Sequence, residues 1–249
     1  MQGRKGDFLR NYCTRQCIGY ASLDYRAHGA SGGHDDWATE ATVSNFLTDT
    51  LWVLDHLLKQ QQPSSNLVLV GSSMGAWLSL LVAQRARCIG GLILLAPAVD
   101  LTRYYPDPAT QRQYPLTDAH GRVYYQVPNR YESNSGQDEP YYLIYESMLQ
   151  DGEQYYLLND KDNNETTSSF LGLDKNMPIR ILHGSHDLDI PVEQAHKLML
   201  TLLANDHADA QLTVIEQGDH RLSEPTHLQI LEQTLNQVVS KVVINTRAW

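Results

Sequence analysis

The run Leu67-Val68-Leu69-Val70 leads into Gly71-Ser72-Ser73-Met74-Gly75, and Ala76-Trp77-Leu78-Ser79-Leu80-Leu81-Val82 follows at once. A short apolar run bounded by glycine reads as a buried strand, and the longer one after it as a buried helix. The residues between must then form a sharp turn with Ser73 at its apex. This constrains the chain to an α/β architecture, and it also suits a particular chemistry. A serine hydroxyl is a weak nucleophile, so it must stand clear of its neighbours for a base to reach one side and an acyl carbon the other. Glycines two residues before and two after Ser73 leave room for the turn. The Met74 N–H, opening the helix, points where an oxyanion would form.

A nucleophile placed this way calls for an acid and then a histidine further along the chain. The acid is expected in Ile179-Arg180-Ile181-Leu182-His183-Gly184-Ser185-His186-Asp187-Leu188-Asp189-Ile190-Pro191, an apolar strand running into a polar loop. Asp187 sits at the carboxyl end of that strand, where open α/β sheets place their sites. A carboxylate there accepts the Nδ1–H of a histidine and fixes its tautomer. Asp189 is the competing carboxylate; it is assigned instead to capping the helix that opens near Pro191. The base is His220, in Gly218-Asp219-His220-Arg221-Leu222, just past the strand-like Gln211–Ile215. His183, His186, Asp187 and Asp189 also have a reading as ligands of a divalent ion. A strand-end histidine and three loop residues share no obvious face, and a triad uses Asp187 without metal, so no metal is expected.

The remaining pattern gives helices over Lys5–Arg15 and Thr39–Gln60, the latter with Val43, Phe46, Leu47, Leu51, Leu54 and Leu58 on one face. Strands are expected over Ile18–Leu23, Leu67–Val70, Gly91–Ala96 and Ile179–His183 as well as 211–215. Further helices are expected over Met74–Arg87, near Pro191–Ala204, and over Thr226–Val243, with a loop at Gln60–Asn66. Strands alternating with helices imply a mainly parallel sheet covered on both faces. The stretch Asp100–Met177 breaks the alternation and is too long for a simple connection. Eleven of the 14 tyrosines lie between Tyr104 and Tyr156, with no Phe or Trp among them. Tyrosine suits a cap, offering an apolar ring and a hydroxyl that can stay wet; a surface excursion whose tyrosines pack on one another is the plainer alternative. The domain reading is a core of residues 1–99 and 178–249 with a cap or lid at 100–177. Asp160–Ser169, rich in Asn, Thr and Ser, reads as a mobile loop.

Taken together, Gly-Ser-Ser-Met-Gly, His-Gly-Ser-His-Asp and Gly-Asp-His-Arg-Leu resemble the three motifs of the α/β-hydrolase superfamily, and Leu23–Gly33 looks like the loop after that family's fourth strand. Gly71–Leu78 and Asp219-His220-Arg221 are similar to the subgroup of small serine hydrolases that includes mitochondrial palmitoyl-protein thioesterase, also described as an acyl-glucuronide esterase. The resemblance implies the α/β-hydrolase fold, a cap over the nucleophile, and cleavage of carboxylic esters or thioesters by Ser73, Asp187 and His220, with Met74 at the oxyanion. Family members open with strands and a His-Gly-(Phe/Tyr) loop that supplies a second oxyanion N–H. The subgroup goes on from that loop to Met-x-Gly-x-Lys and a helix, and this sequence begins Met1-Gln2-Gly3-Arg4-Lys5. By the resemblance the fold is N-terminally incomplete. The family's third strand, between its fourth and fifth, is then missing, and the strand near Cys17–Asp24 needs another partner. The alternative that follows is a hydrolase-like protein of weak or no activity, since one lost oxyanion donor costs about 10²–10³ in turnover. His28-Gly29 follows Asp24-Tyr25-Arg26 and sits one strand too late to replace the loop; it reads as a Gly-rich turn.

Bulk properties exclude other classes. The chain of 249 residues suffices for one α/β domain. A net charge of −10 argues against nucleic acid or an anionic membrane as main partner, and no apolar run is long enough to span a bilayer. Gly29–Gly33 lacks the G-x-G-x-x-G spacing of a dinucleotide loop, so no organic cofactor is expected. Three cysteines, Cys13, Cys17 and Cys88, form no disulfide framework and fit a reducing compartment, cytoplasmic or mitochondrial.

Overall fold

The computed structural model describes residues 3–31, 36–60, 67–128, 141–158 and 172–246. The chain opens with helix α1 (Arg4–Gln16), a short helix α2 (Trp37–Glu40) and the long α3 (Val43–Gln60). Strand β1 (Leu67–Ser72), helix α4 (Met74–Arg85) and strand β2 (Ile89–Leu95) follow. After helix α5 (Leu101–Tyr104) come three strands, β3 (Leu116–Thr117), β4 (Val123–Pro128) and β5 (Tyr141–Tyr145), and helix α6 (Glu146–Gly152). Strand β6 (Ile179–Gly184), helix α7 (Val192–Ala204), strand β7 (Ala210–Ile215) and helix α8 (Pro225–Thr246) complete the order.

The main sheet runs β1-β2-β6-β7, with every pair parallel. A parallel sheet must hide both faces, and alternate residues of these strands divide accordingly. Leu92 and Leu94 of β2 and Ile179 and Ile181 of β6 pack with α3, α4 and α7. Ile93, Leu95 and Leu182 point the other way, toward Tyr12 of α1 and Leu231, Leu235 and Val238 of α8. Tyr12 is buried, and its hydroxyl donates to Asn236 Oδ1 at 2.8 Å, tying α1 to α8. Arg180, on a fully covered strand, is neutralised by Asp209 at 2.8 Å, which also meets Lys241 of α8 at 2.6 Å.

Two expectations are corrected. Ile18–Leu23 carries no strand; it is mostly exposed, and among the described residues β1 pairs only with β2. An extended segment without a ladder partner gains too little to form a strand. The helix expected over Thr39–Gln60 is broken at Ala41-Thr42, because the Thr42 hydroxyl accepts the Asn45 N–H at 3.2 Å and so starts a new helix. Gln61–Asn66 and the Asp160–Ser169 loop lie outside the described residues.

The stretch after β2 forms a second, antiparallel sheet, β3-β4-β5. It docks on the helical layer through Asp151, which accepts the Ser44 N–H at 2.7 Å and the Ser44 hydroxyl, and through Ser147, whose hydroxyl donates to the Ala38 carbonyl. Its tyrosines split: Tyr125 is buried, Tyr104, Tyr105, Tyr155 and Tyr156 pack on the main core, and Tyr141 and Tyr142 are exposed.

Candidate active site

β1 delivers Ser73 to the carboxyl edge of the sheet, and α4 begins at the next residue. Ser73 has φ 56° and ψ −124°, a region that a residue with a Cβ enters only at a cost of about 1–3 kcal/mol. The surroundings hold it there. The Ser73 N–H donates to Leu95 O at 2.9 Å, and the Ser73 carbonyl accepts from Ala76 at 2.9 Å and from Ala98 at 3.2 Å, so the end of β2 and the residues after it clamp the turn from their side.

The two glycines around Ser73 differ. A Cβ on Gly71 would collide with the Gly75 carbonyl and the Ser79 hydroxyl, whereas one on Gly75 would meet nothing within 4 Å. Close approach therefore requires glycine at 71 and not at 75. Met74 is the first residue of α4, so its amide is among those with no acceptor inside the helix.

Three residues distant in sequence converge here. His220 Nε2 lies 2.9 Å from Ser73 Oγ, and His220 Nδ1 lies 2.7 Å from Asp187 Oδ2. A carboxylate only accepts, so Nδ1 carries the proton and Nε2 presents its lone pair to the serine. The Asp187 side chain is fully buried, and its other oxygen accepts the N–H groups of Asp189 at 3.0 Å and Ile190 at 2.8 Å. With those bonds Asp187 is fixed by its own loop independently of the histidine.

Asp189 is not at the N-cap position of α7, contrary to expectation. The N-cap is Pro191 and makes no side-chain cap bond; the backbone of Asp189 turns instead around Asp187. His183 is buried beneath the acid. Its Nε2 donates to the Ile190 carbonyl at 2.9 Å and lies 3.4 Å from Asp187 Oδ2. Burial first, opposed by the Ile190 carbonyl and Asp187, holds its pKa below the usual imidazole value, so it remains neutral. His186 faces Ser185 at 3.0 Å. Among the described residues no group of three His, Cys, Asp or Glu side chains is placed to hold a metal.

Several supporting residues were missed in the sequence. A Cβ on Gly184 would strike the Gly218 carbonyl, and one on Gly218 would press on Leu222 and on Gly184 itself. The loops bearing Asp187 and His220 therefore cross backbone to backbone. Ser185 N–H donates to Ile215 O, His186 N–H to Gly218 O, and Gln217 N–H to Ser185 Oγ, each at 2.9 Å. The two Gly residues ending or following apolar strands were the only signal.

The other missed residue is Asp100, buried at φ 57° just after β2. Its carboxylate accepts the N–H groups of Leu157 at 2.7 Å and Leu158 at 2.8 Å, where the chain packs into the main core. Burial, partly offset by those bonds and by Arg103 and Lys197, pushes it up to about 6. The same stretch is held by Trp77 of α4, whose indole N–H donates to Tyr155 O at 3.2 Å, and by Arg103, 4.2 Å above the Tyr156 ring.

A parallel sheet covered on both faces, with a strained serine between strand and helix and an imidazole behind it, defines an α/β hydrolase. The chain belongs to the serine aminopeptidase S33 family of hydrolases, whose model matches residues 7–146. It is 26% identical over 246 residues to mouse mitochondrial palmitoyl-protein thioesterase ABHD10, covering 97% of this chain and 72% of that protein. The solved structure of mouse alpha/beta hydrolase domain-containing protein 10 matches with a TM-score of 0.71 at 26% identity, covering 97% of this chain and 86% of that one. An Agrobacterium vitis S4 protein described as a hydrolase gives 0.72 at 26% identity, over 95% and 82% of the two chains. Among the described residues no helix is long and apolar enough to cross a membrane.

Proposed function

We propose that this chain hydrolyses carboxylic esters or thioesters through an acyl-enzyme on Ser73. The observation that carries the reading is the continuous relay from Asp187 Oδ2 through His220 to Ser73 Oγ, with bonds of 2.7 and 2.9 Å. As Ser73 Oγ adds to the carbonyl carbon, its proton passes to His220 Nε2. Asp187 keeps the ring oriented and balances the imidazolium charge. The Met74 N–H donates to the oxyanion of the tetrahedral intermediate. Collapse breaks the bond to the alcohol or thiol, which leaves with the proton from His220. Water, losing a proton to the same nitrogen, then adds to the acyl carbon. Breakdown releases the carboxylic acid and returns the proton to Ser73.

The thioester side of the reading rests on the relatives, which are named palmitoyl-protein thioesterases and mitochondrial; we assign this chain an acyl substrate, and the mitochondrion as its compartment, on that likeness. The segment 100–177, in which Asp100 grips the backbone at Leu157 and Leu158, is assigned as a cap that shapes the acyl site. Ser73→Ala tests the core of the proposal: it should abolish labelling by a fluorophosphonate probe. Labelling of that variant at wild-type strength would mean that Ser73 is not the nucleophile.

A further inference from the structure

Lys5, in the first turn of α1, donates from Nζ to the Ser72 hydroxyl at 2.8 Å. Ser72 is the last residue of β1 and the immediate neighbour of Ser73. The charges that act on the Lys5 ammonium come from the other two limbs of the relay. They are Asp219, which precedes His220, Asp187 itself, and Arg221 on the far side of His220. The remaining ions of this part of α1 are occupied at the surface, Arg4 with Glu224 at 3.5 Å and Asp7 with Arg10 at 3.1 Å. The Lys5 ammonium thus bonds the residue before Ser73, within electrostatic reach of Asp219, Arg221 and Asp187.

Building on the hydrolase reading above, we infer that Lys5 is a positioning residue: its ammonium holds the underside of the Ser73 turn in register with the Asp187 and His220 loops. A charge-assisted bond to Ser72 is stronger than the bond of a neutral amine. The attraction to Asp219 and Asp187 exists only while the nitrogen is charged. Burial first, then Arg221, lowers the Lys5 pKa to about 8 against the pull of Asp219 and Asp187. The hold is therefore largely in place at neutral pH and weakens as pH rises through that value.

The consequence is a descending alkaline limb of kcat that belongs to Lys5 and not to the relay. Three variants test it with a p-nitrophenyl ester. Lys5→Met should lower kcat about tenfold to a hundredfold with little change in KM, as loss of alignment does. It should also lack the alkaline fall near pH 8, while its Tm stays at or above the wild-type value, because a poorly solvated ammonium has been removed. Lys5→Arg keeps a charge that does not titrate in this range, so it should retain more kcat than Lys5→Met and extend the plateau to higher pH. Ser72→Ala should lower kcat in the same direction, and the double variant Ser72→Ala/Lys5→Met should be no worse than Lys5→Met alone. Wild-type kcat in Lys5→Met, an alkaline fall unchanged in that variant, or additive losses in the double variant would each overturn the inference while Ser73 labelling stood. Failure of the wild-type protein to label at Ser73 would remove the hydrolase reading, and this inference with it.

Discussion

His220 Nε2 and Ser73 Oγ are held 2.9 Å apart across 147 residues of chain. The contact is made by the sheet. β1 and β2 bring Ser73 and its clamp to one edge, and β6 and β7, adjacent and parallel, bring the Asp187 and His220 loops to the same edge. Parallel strands all end on one side, so residues just beyond three of them meet without any local sequence relation.

Asp187→Asn is expected to lower kcat about 10³–10⁴-fold, since an amide in place of the carboxylate no longer selects the Nδ1–H tautomer of His220. Asp189→Asn should stay within a few fold of wild type, because it is the Asp189 backbone that turns around Asp187. Steady-state ester hydrolysis by the two variants decides between the carboxylates; a larger loss at 189 would reassign the acid.

Ser73→Gly and Ser73→Ala should both be inactive but should differ in stability. Alanine keeps the strain of φ 56° while glycine relieves it, so the glycine variant should unfold about 1 kcal/mol harder in urea. Equal midpoints would mean that the turn stores no strain.

Gly71→Ala should destabilise the fold and lose labelling, since its methyl group has only backbone and the Ser79 hydroxyl to displace. Gly75→Ala, a helical position with open space, should raise Tm, gaining up to about 1 kcal/mol of helix propensity. Circular dichroism melts of the pair check both signs.

The meeting of Ser73, Asp187 and His220 was legible because each lies in a short stretch with its own local signature: a strand, a glycine and a polar loop. Both packed faces of the sheet were legible too, in the unbroken apolar run Leu92–Leu95 and in Ile179–Leu182, interrupted only by Arg180. What escaped depends on partners. Ile18–Leu23 has the residues of a strand but no ladder to join among the described residues, and α3 starts at Val43 because one threonine hydroxyl finds an amide three residues on. The crossing of Gly184 and Gly218, the grip of Asp100 on Leu157 and Leu158, and the reach of Lys5 to Ser72 are tertiary contacts between segments with no pattern linking them.

Asp100 should leave its mark on the pH dependence of stability. Its pKa is about 6 when folded against 3.8 ordinarily, so the folded state binds more protons between those values, and its stability falls as pH rises through that window. The unfolding free energy of wild type minus that of Asp100→Asn should therefore fall from about pH 4 to 6, by a few kcal/mol at most. A difference independent of pH, measured by urea titration at several pH values, would show that Asp100 does not take up a proton on folding.

The most direct test of the account is to trap the covalent intermediate. Rapid acid quench of the protein with a p-nitrophenyl ester or an acyl thioester, followed by peptide mass spectrometry, should find the acyl group on the peptide that contains Ser73, and Ser73→Ala should carry none. Hydrolysis of the substrate with no acyl group at Ser73, or with an adduct on another side chain, would contradict it.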